Sequence, residues 1–289
     1  MHRKPKKGGG EIYIDEVDDY APLTNKRVVG IDPNMSDLLY CVEGDAKDQT
    51  KFRYTQDQRR KETKAKKYRD YLQERKQEKV GDKSVVEWEA EMSAFNRKTT
   101  DFTKFKAYIQ KKNELNARLA PFYGAYIFGK LKLGGYMRRQ ITEARLLARF
   151  NKLFGGPDET IVAIGDFEQR KHRKYKEPIK GKGFRTLFRK AGYGVYLVDE
   201  FRTSCRCSAC GGECKIRVCE NPRPFRTGSV LRHGLVSCET CSRLWNRDTN
   251  AASNIWKIAK SAIRGEARPD YLRRDRVSHS GRSVGTTQP

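Results

Sequence analysis

The sequence predicts an α/β fold, a mixed β-sheet covered by helices and interrupted by one long helical insertion and one small cysteine-rich insert. Three observations carry this reading. Three short β-prone segments follow one another between residues 27 and 56, and two continuous apolar runs of strand length, ETIVAIGDF (159–167) and YGVYLVDEF (193–201), come much later. Two Cys-x-x-Cys pairs, Cys207/Cys210 and Cys238/Cys241, then precede a closing amphipathic segment, DTNAASNIWKIAKSAI.

Residues 1–25, basic in KPKKGGG and acidic in EIYIDEVDDY, are polar and are expected to form a disordered arm. From Lys26, the segments RVVGID, DLLYCVEG and QTKFRYTQ alternate with turn formers and read as a three-strand meander. The next stretch, QRRKETKAKKYRDYLQERKQEK, lacks Gly and Pro and spaces Tyr68, Tyr71 and Leu72 for one helical face, which predicts one long exposed helix. Apolar residues then recur at three- and four-residue intervals from Val85 to Phe154, with Pro121 and Gly134–Gly135 as punctuation, so the helical insertion extends over about 57–154. ETIVAIGDF and YGVYLVDEF read as parallel strands buried on both faces, because such strands are apolar throughout rather than alternating. FRTLFRKAG, between them, reads as a helix. The main domain is thus expected over 26–204, the cysteine insert over 205–244, the final helix over 245–264, and a disordered basic tail over 265–289. Meander, parallel strand, helix, parallel strand and closing helix together make the chain order of an RNase H-like domain.

The composition narrows the partner. Lys and Arg number 61 against 36 Asp and Glu, a net charge of +25 in 289 residues. Such an excess favours a polyanion, since each cation near a phosphate releases condensed counterions. Seven of the eight cysteines fall between Cys205 and Cys241, a clustering that favours metal over a disulfide scaffold. No apolar run approaches the roughly 18 residues needed to cross a bilayer, and the N-terminus lacks the apolar segment of a secretory signal. The expected setting is the nucleus, or otherwise the cytoplasm, with no membrane partner.

Two sets of residues could carry chemistry. Cys207, Cys210, Cys238 and Cys241 have the paired spacing of a tetrahedral structural zinc site, which leaves no open position for catalysis. Cys205 could replace Cys207, and Cys214 with Cys219 could form a second partial site. Acids at the strand ends form the other set: Asp32 closes the first strand, Asp166 and Glu168 follow the fourth, and Asp199 and Glu200 follow the fifth. Asp248 opens the last helix, where, taken by itself, it reads first as an N-cap. Between the two late strands, Arg170, Lys171, Arg173, Lys174, Tyr175 and Lys176 form a basic run suited to phosphates, with Tyr175 able to stack on a base. His172 reads as part of the same patch rather than as a metal ligand.

Asp32 in GIDPN, TSCRCSACGG, CETC and NRDTNAASNI together resemble the RuvC-like nuclease of the TnpB/Fanzor transposon-encoded, RNA-guided endonucleases, relatives of the type V CRISPR effectors. The resemblance covers roughly residues 27–265. It implies a RuvC mixed sheet with a zinc-ribbon insert that binds target nucleic acid just before the last catalytic Asp. It also implies two-metal, Mg²⁺-dependent DNA cleavage, with DNA and a guide RNA as partners. In TnpB the middle catalytic acid is usually a Glu ending the fourth strand; here that position is Gly165, followed by Asp166 and Phe167. The eukaryotic Fanzor branch can carry a displaced Glu, which singles out Asp32, Glu200 and Asp248, with Glu168 or Asp166 as substitutes. The large region that precedes the first catalytic strand in full-length relatives is expected to be missing or to be supplied by another chain. The rival expectation is a non-catalytic, zinc-containing nucleic-acid-binding remnant of such an element.

Overall fold

The computed structural model describes residues 11–45, 48–167, 180–221, 225 and 227–274. It divides into two compact units, residues 1–55 with 147–289 and residues 56–146.

The first unit is built on a five-stranded sheet. Its strands are β1 (Arg27–Asp32), β2 (Asp37–Glu43) and β3 (Thr50–Thr55), then, after the second unit, β6 (Thr160–Gly165) and β7 (Gly194–Val198), in the spatial order β3-β2-β1-β6-β7. β2 pairs antiparallel with β1 and β3, whereas β6 runs parallel to β1 and β7 parallel to β6. This is the mixed RNase H-like sheet that the strand order predicts. Successive side chains of a strand point to opposite faces, so Val28, Gly30 and Asp32 share one face of β1, and Ile161, Ala163 and Gly165 share the matching face of β6. The closing helix, here α7 (Arg247–Ile263), packs there: Ile255, Ile258, Ala259 and Ile263 are buried with Val28, Ile161 and Ala163. Each large side chain so buried contributes roughly 1.5–3 kcal/mol. Gly30 permits the approach, because a Cβ built there would lie 2.5 Å from the Trp256 backbone nitrogen. A second apolar cluster joins Phe150 and Phe154, Phe188 of α6 (Gly181–Lys190) and Tyr193, with centroids 4.8 Å apart for Phe150–Phe154 and Phe150–Phe188.

The segments on either side of this core are ordered where they are described. Residues 11–25 do not behave as an arm: Ile14 is fully buried, and the Leu197 amide donates to the Ile12 carbonyl at 2.9 Å, adding the segment to the free edge of β7. Residues 265–274 likewise pack, with Leu272 fully buried. In both cases one or two apolar residues anchor an otherwise polar stretch, too few to register in composition.

The second unit is helical. It comprises α1 (Gln56–Thr63), α2 (Ala65–Arg75), the two-residue strands β4 (Lys79–Val80) and β5 (Lys83–Ser84), α3 (Val85–Ala90), α4 (Phe102–Tyr123) and most of α5 (Tyr126–Phe154). The single long helix expected from residue 57 is two, because Lys64 adopts a left-handed conformation with φ 54°. Gly134–Gly135 does not break α5, and Pro121 sits inside the last turn of α4. Ser84 caps α3 through a reciprocal box with Glu87. Val85, Trp88, Leu115 and Leu119 form the core of this unit. No helix among the described residues is long and apolar enough to cross a membrane.

Between β7 and α7 lies the cysteine insert, a three-stranded ribbon in the order β10-β9-β8, made of β8 (Cys214–Glu220), β9 (Ser229–Cys238) and β10 (Leu244–Asn246). The long spacer between the two cysteine pairs is the β8–β9 hairpin. Its core is small: Cys207, Cys214, Val236, Cys238 and Trp245.

Candidate metal centres: a carboxylate cluster beside a four-cysteine ribbon

Asp32 is the last residue of β1 and 8 % exposed. Its carboxyl is held well above the ordinary range, first by burial and then by the charges of Glu200 and Asp248, with Arg247 opposing. Asp248 lies one residue inside α7 and is equally buried. The capping alternative does not apply to it: Asn246 is the N-cap, accepting from the amides of Asp248 and Thr249 at 3.0 Å each. The Asp248 carboxylate is thereby released from local duty, and Asn34 in the β1–β2 turn donates Nδ2 to its Oδ1 at 2.9 Å.

Glu200 follows β7, yet its carboxylate lies where residue 165 would carry a side chain. A Cβ built on Gly165 would collide with the carboxylate and lie 2.5 Å from Glu200 Cδ. The Phe167 amide donates to Glu200 Oε1 at 3.2 Å, fixing the side chain across the β6–β7 strand spacing. Burial pushes the Glu200 carboxyl up to about 7, with Asp166 and Asp199 adding to the effect and the Phe167 amide and buried Arg185 opposing it.

The remaining acids are engaged elsewhere. Asp166 accepts from Tyr13 Oη at 2.9 Å. Asp199 is clasped by Arg274 at 2.7 and 2.8 Å, which holds its carboxyl below the usual range although burial acts the other way. Glu168 and the basic run Arg170, Lys171, Arg173, Lys174, Tyr175 and Lys176 lie outside the described residues.

In the ribbon the Sγ atoms of Cys207, Cys210, Cys238 and Cys241 all lie within 4.8 Å of one another. The Cys207–Cys241 and Cys210–Cys238 pairs are 3.7 and 3.5 Å apart. Four sulfurs about 2.3 Å from a shared zinc ion would be roughly 3.8 Å apart, so the donor set fits that ion. Trp245 Nε1 donates to Cys207 Sγ at 3.2 Å, and the Cys241 amide to Cys238 Sγ at 3.5 Å, both of which favour thiolate. Cys205 is exposed and outside the set, and Cys214 is buried with its thiol pushed up to about 12. No second set of three or more such donors occurs among the described residues.

Residues 186–255 match the family model described as the Cas12f1-like TNB domain. The match begins at the end of α6 and runs through β7 and the ribbon into the first half of α7. No curated protein matches in sequence. Among solved structures, that of the mini-RNA-guided endonuclease CRISPR-Cas_phi3 is similar at TM-score 0.53 and 15 % identity, over 90 % of this chain and 49 % of that one. CasPhi-2 (Cas12j) bound to crRNA aligns at TM-score 0.39 and 14 % identity over 84 % and 48 % of the two chains. The Cas12f1–sgRNA–target DNA complex aligns at 0.35 and 14 % over 83 % and 51 %. The chain thus spans about half the length of the structures it resembles, and it shares the fold of the first.

The carboxylates differ from the sulfurs in spacing. Among the described residues, the four sulfurs are the one set of three or more such donor atoms lying all within 4.8 Å. Asp32, Glu200 and Asp248 are therefore not a one-ion cage. Asp32 is their shared member, within the field of both others, while Asp248 also faces Asp37. Oxygen-only donors suit hard divalent ions. Buried like charges also repel one another until cations neutralise them.

Several supporting residues carried little sequence signal. Asn34 lies in the turn after β1, and Asp37 opens β2. Asp37 is 4 % exposed and paired with Arg53 at 2.8 Å. Arg185 of α6 is 1 % exposed and paired with Glu11 at 2.9 Å. Arg268, in the expected tail, donates to the Asp199 carbonyl at 2.8 Å.

Two predictions arise here. The folded Glu200 carboxyl near 7 exceeds its ordinary 4.5, so protonation favours the folded state. In zinc-loaded protein kept free of Mg²⁺, melting temperature is expected to fall as pH rises from about 5 through 7, and Glu200→Gln is expected to flatten the slope. A wild-type slope no steeper than that of the variant would contradict the burial of this acid. For the ribbon, the chain is expected to bind about one zinc ion, lost in Cys207→Ser and Cys238→Ser but retained in Cys205→Ser. The loss should unfold the ribbon, since structural zinc supplies on the order of 10 kcal/mol in small domains. Zinc content by elemental analysis, with far-UV dichroism, checks both.

Proposed function

We propose that this chain is the RuvC-type nuclease portion, with its structural zinc ribbon, of an RNA-guided DNA endonuclease of the Fanzor branch. Asp32, Glu200 and Asp248 are its metal-holding acids. The observation that carries this reading is the Glu200 carboxylate seated over Gly165, which restores a third acid to a site whose strand-end position lacks one. When bound, Mg²⁺ would activate a water and neutralise charge developing on the scissile phosphate. The protein's part is positional: Asn34 orients Asp248, the Phe167 amide orients Glu200, and β1 presents Asp32 with it on the face that α7 covers. The ribbon and the chain's excess of cations would hold the DNA backbone, with guide RNA as the second partner and the nucleus of a eukaryotic host as the setting.

The test is cleavage of single-stranded DNA by the full chain, with and without added RNA. Mg²⁺-dependent cleavage, lost in EDTA and in Asp248→Ala, is expected. Cleavage that survives Asp248→Ala would dismiss the assignment, and salt-sensitive binding without cleavage would identify a zinc-containing binding protein instead.

A further inference from the structure

Two fully buried asparagines tie the two candidate metal centres together. Asn250 and Asn254 are one turn apart on α7, and both turn their side-chain amides to the segment between Glu200 and Cys207. Asn250 Nδ2 donates to the carbonyls of Thr203 and Arg206 at 3.3 and 2.7 Å. Asn254 Nδ2 donates to the same two carbonyls at 2.8 Å each. Asn250 Oδ1 accepts from the Ser208 amide at 2.8 Å, which fixes the orientation of that amide group.

Each anchored carbonyl lies beside a metal-site residue. Thr203 donates its amide and its hydroxyl to the Glu200 carbonyl at 3.2 and 3.1 Å, closing the turn that presents Glu200. Arg206 immediately precedes Cys207, whose Sγ belongs to the four-sulfur set. The helix that supplies both amides also supplies Asp248, two residues before Asn250. Buried amides that satisfy two carbonyls each are costly to break, since every lost partner leaves a desolvated group.

We propose that Asn250 and Asn254 are positioning residues for the carboxylate site. Their four amide hydrogen bonds index the Glu200–Cys207 segment to the helix that carries Asp248. The zinc ribbon thus serves the divalent-ion site as a brace, quite apart from any contact with nucleic acid. The proposal rests on the nuclease reading above, and its test separates the two.

The probe is Mn²⁺, titrated into the zinc-loaded full chain and followed by the electron paramagnetic resonance of the free ion. Wild type is expected to show sites that Asp32→Ala abolishes. Asn254→Asp puts an acceptor against two carbonyls and is expected to weaken Mn²⁺ binding roughly 10- to 100-fold, the range for groups that orient metal ligands. Zinc content should remain that of wild type. Thr203→Val, which removes only the hydroxyl bond to Glu200, should weaken it several-fold, and Thr203→Ser should restore it. In cleavage, kcat is expected to fall with KM for DNA unchanged, and excess Mn²⁺ should recover it in part. If Asn254→Asp loses zinc, the Thr203 pair decides. Wild-type sites left unchanged by these variants would overturn the proposal alone; no Asp32-dependent site in wild type would overturn the nuclease reading and this proposal with it.

Discussion

Asp32→Asn is expected to abolish Mg²⁺-dependent cleavage and to stabilise the ion-free protein at the same time. Its carboxyl is the member of the cluster that feels both Glu200 and Asp248, so its loss affects every divalent-ion position the three acids could define. Substituting a group that merely orients a metal ligand costs 10- to 100-fold, so removing a charged ligand outright should cost on the order of 10³-fold or more. The isosteric amide keeps the shape of the β1 end while removing a buried charge from among like charges. Without ions, a gain of about 1 kcal/mol would appear as a melting temperature higher by roughly 2–4 °C. Opposite signs for activity and stability are the mark of a site strained for function. Cleavage within tenfold of wild type would remove Asp32 from the site, and an unchanged melting temperature would argue that its charge is compensated by the protein itself.

The second large effect concerns the Gly165–Glu200 pair. Glu200→Gly should remove the third acid and reduce cleavage on the order of 10³-fold, by the same argument. Gly165→Glu alone should fail as well, because even its Cβ falls on the Glu200 carboxylate. The double exchange, Gly165→Glu with Glu200→Gly, returns one carboxylate to that space from the neighbouring strand. It is expected to recover activity to within about tenfold to a hundredfold of wild type, the residual loss reflecting imperfect ligand orientation. Strong non-additivity of this kind is what two residues sharing one volume should show. A double variant no more active than Glu200→Gly would mean that the carboxylate must come from β7. Purified protein should be compared by dichroism first, since the single Gly165→Glu chain crowds a buried site.

Much of this was legible along the chain. The five strands of the sheet lie within the three β-prone segments and the two apolar runs, because burial on one or both faces shapes composition directly. Paired cysteine spacing is local, so the four-sulfur set could be read before any fold was known. The helical insertion was visible as periodicity, but its breaks were not: Lys64 turns the chain where composition shows no breaker, and Gly134–Gly135 passes through a helix held by its neighbours. The described parts of the expected arm and tail, 11–25 and 265–274, are ordered for a related reason. A single Ile14 or Leu272, or an Arg268 seated on a carbonyl, orders a polar segment only because a partner distant in sequence is waiting for it.

The sequence by itself determined the chain order of the strands, the four paired cysteines and the list of acids from which the site is drawn, since each depends on local pattern or residue type. Strand position alone could not tell Asp199 from Glu200, adjacent acids at the same strand end; it was the resemblance that singled out Glu200. The tertiary structure separates them: Arg274 captures one, and the space left by Gly165 receives the other. Nor could the sequence release Asp248 from capping duty or give Asn250 and Asn254 their task, because both depend on which backbone groups α7 meets when it closes over the sheet. Burial and the pairing of polar groups are properties of neighbours in space, so residues that look alike along the chain acquire different chemistry only once the chain has folded.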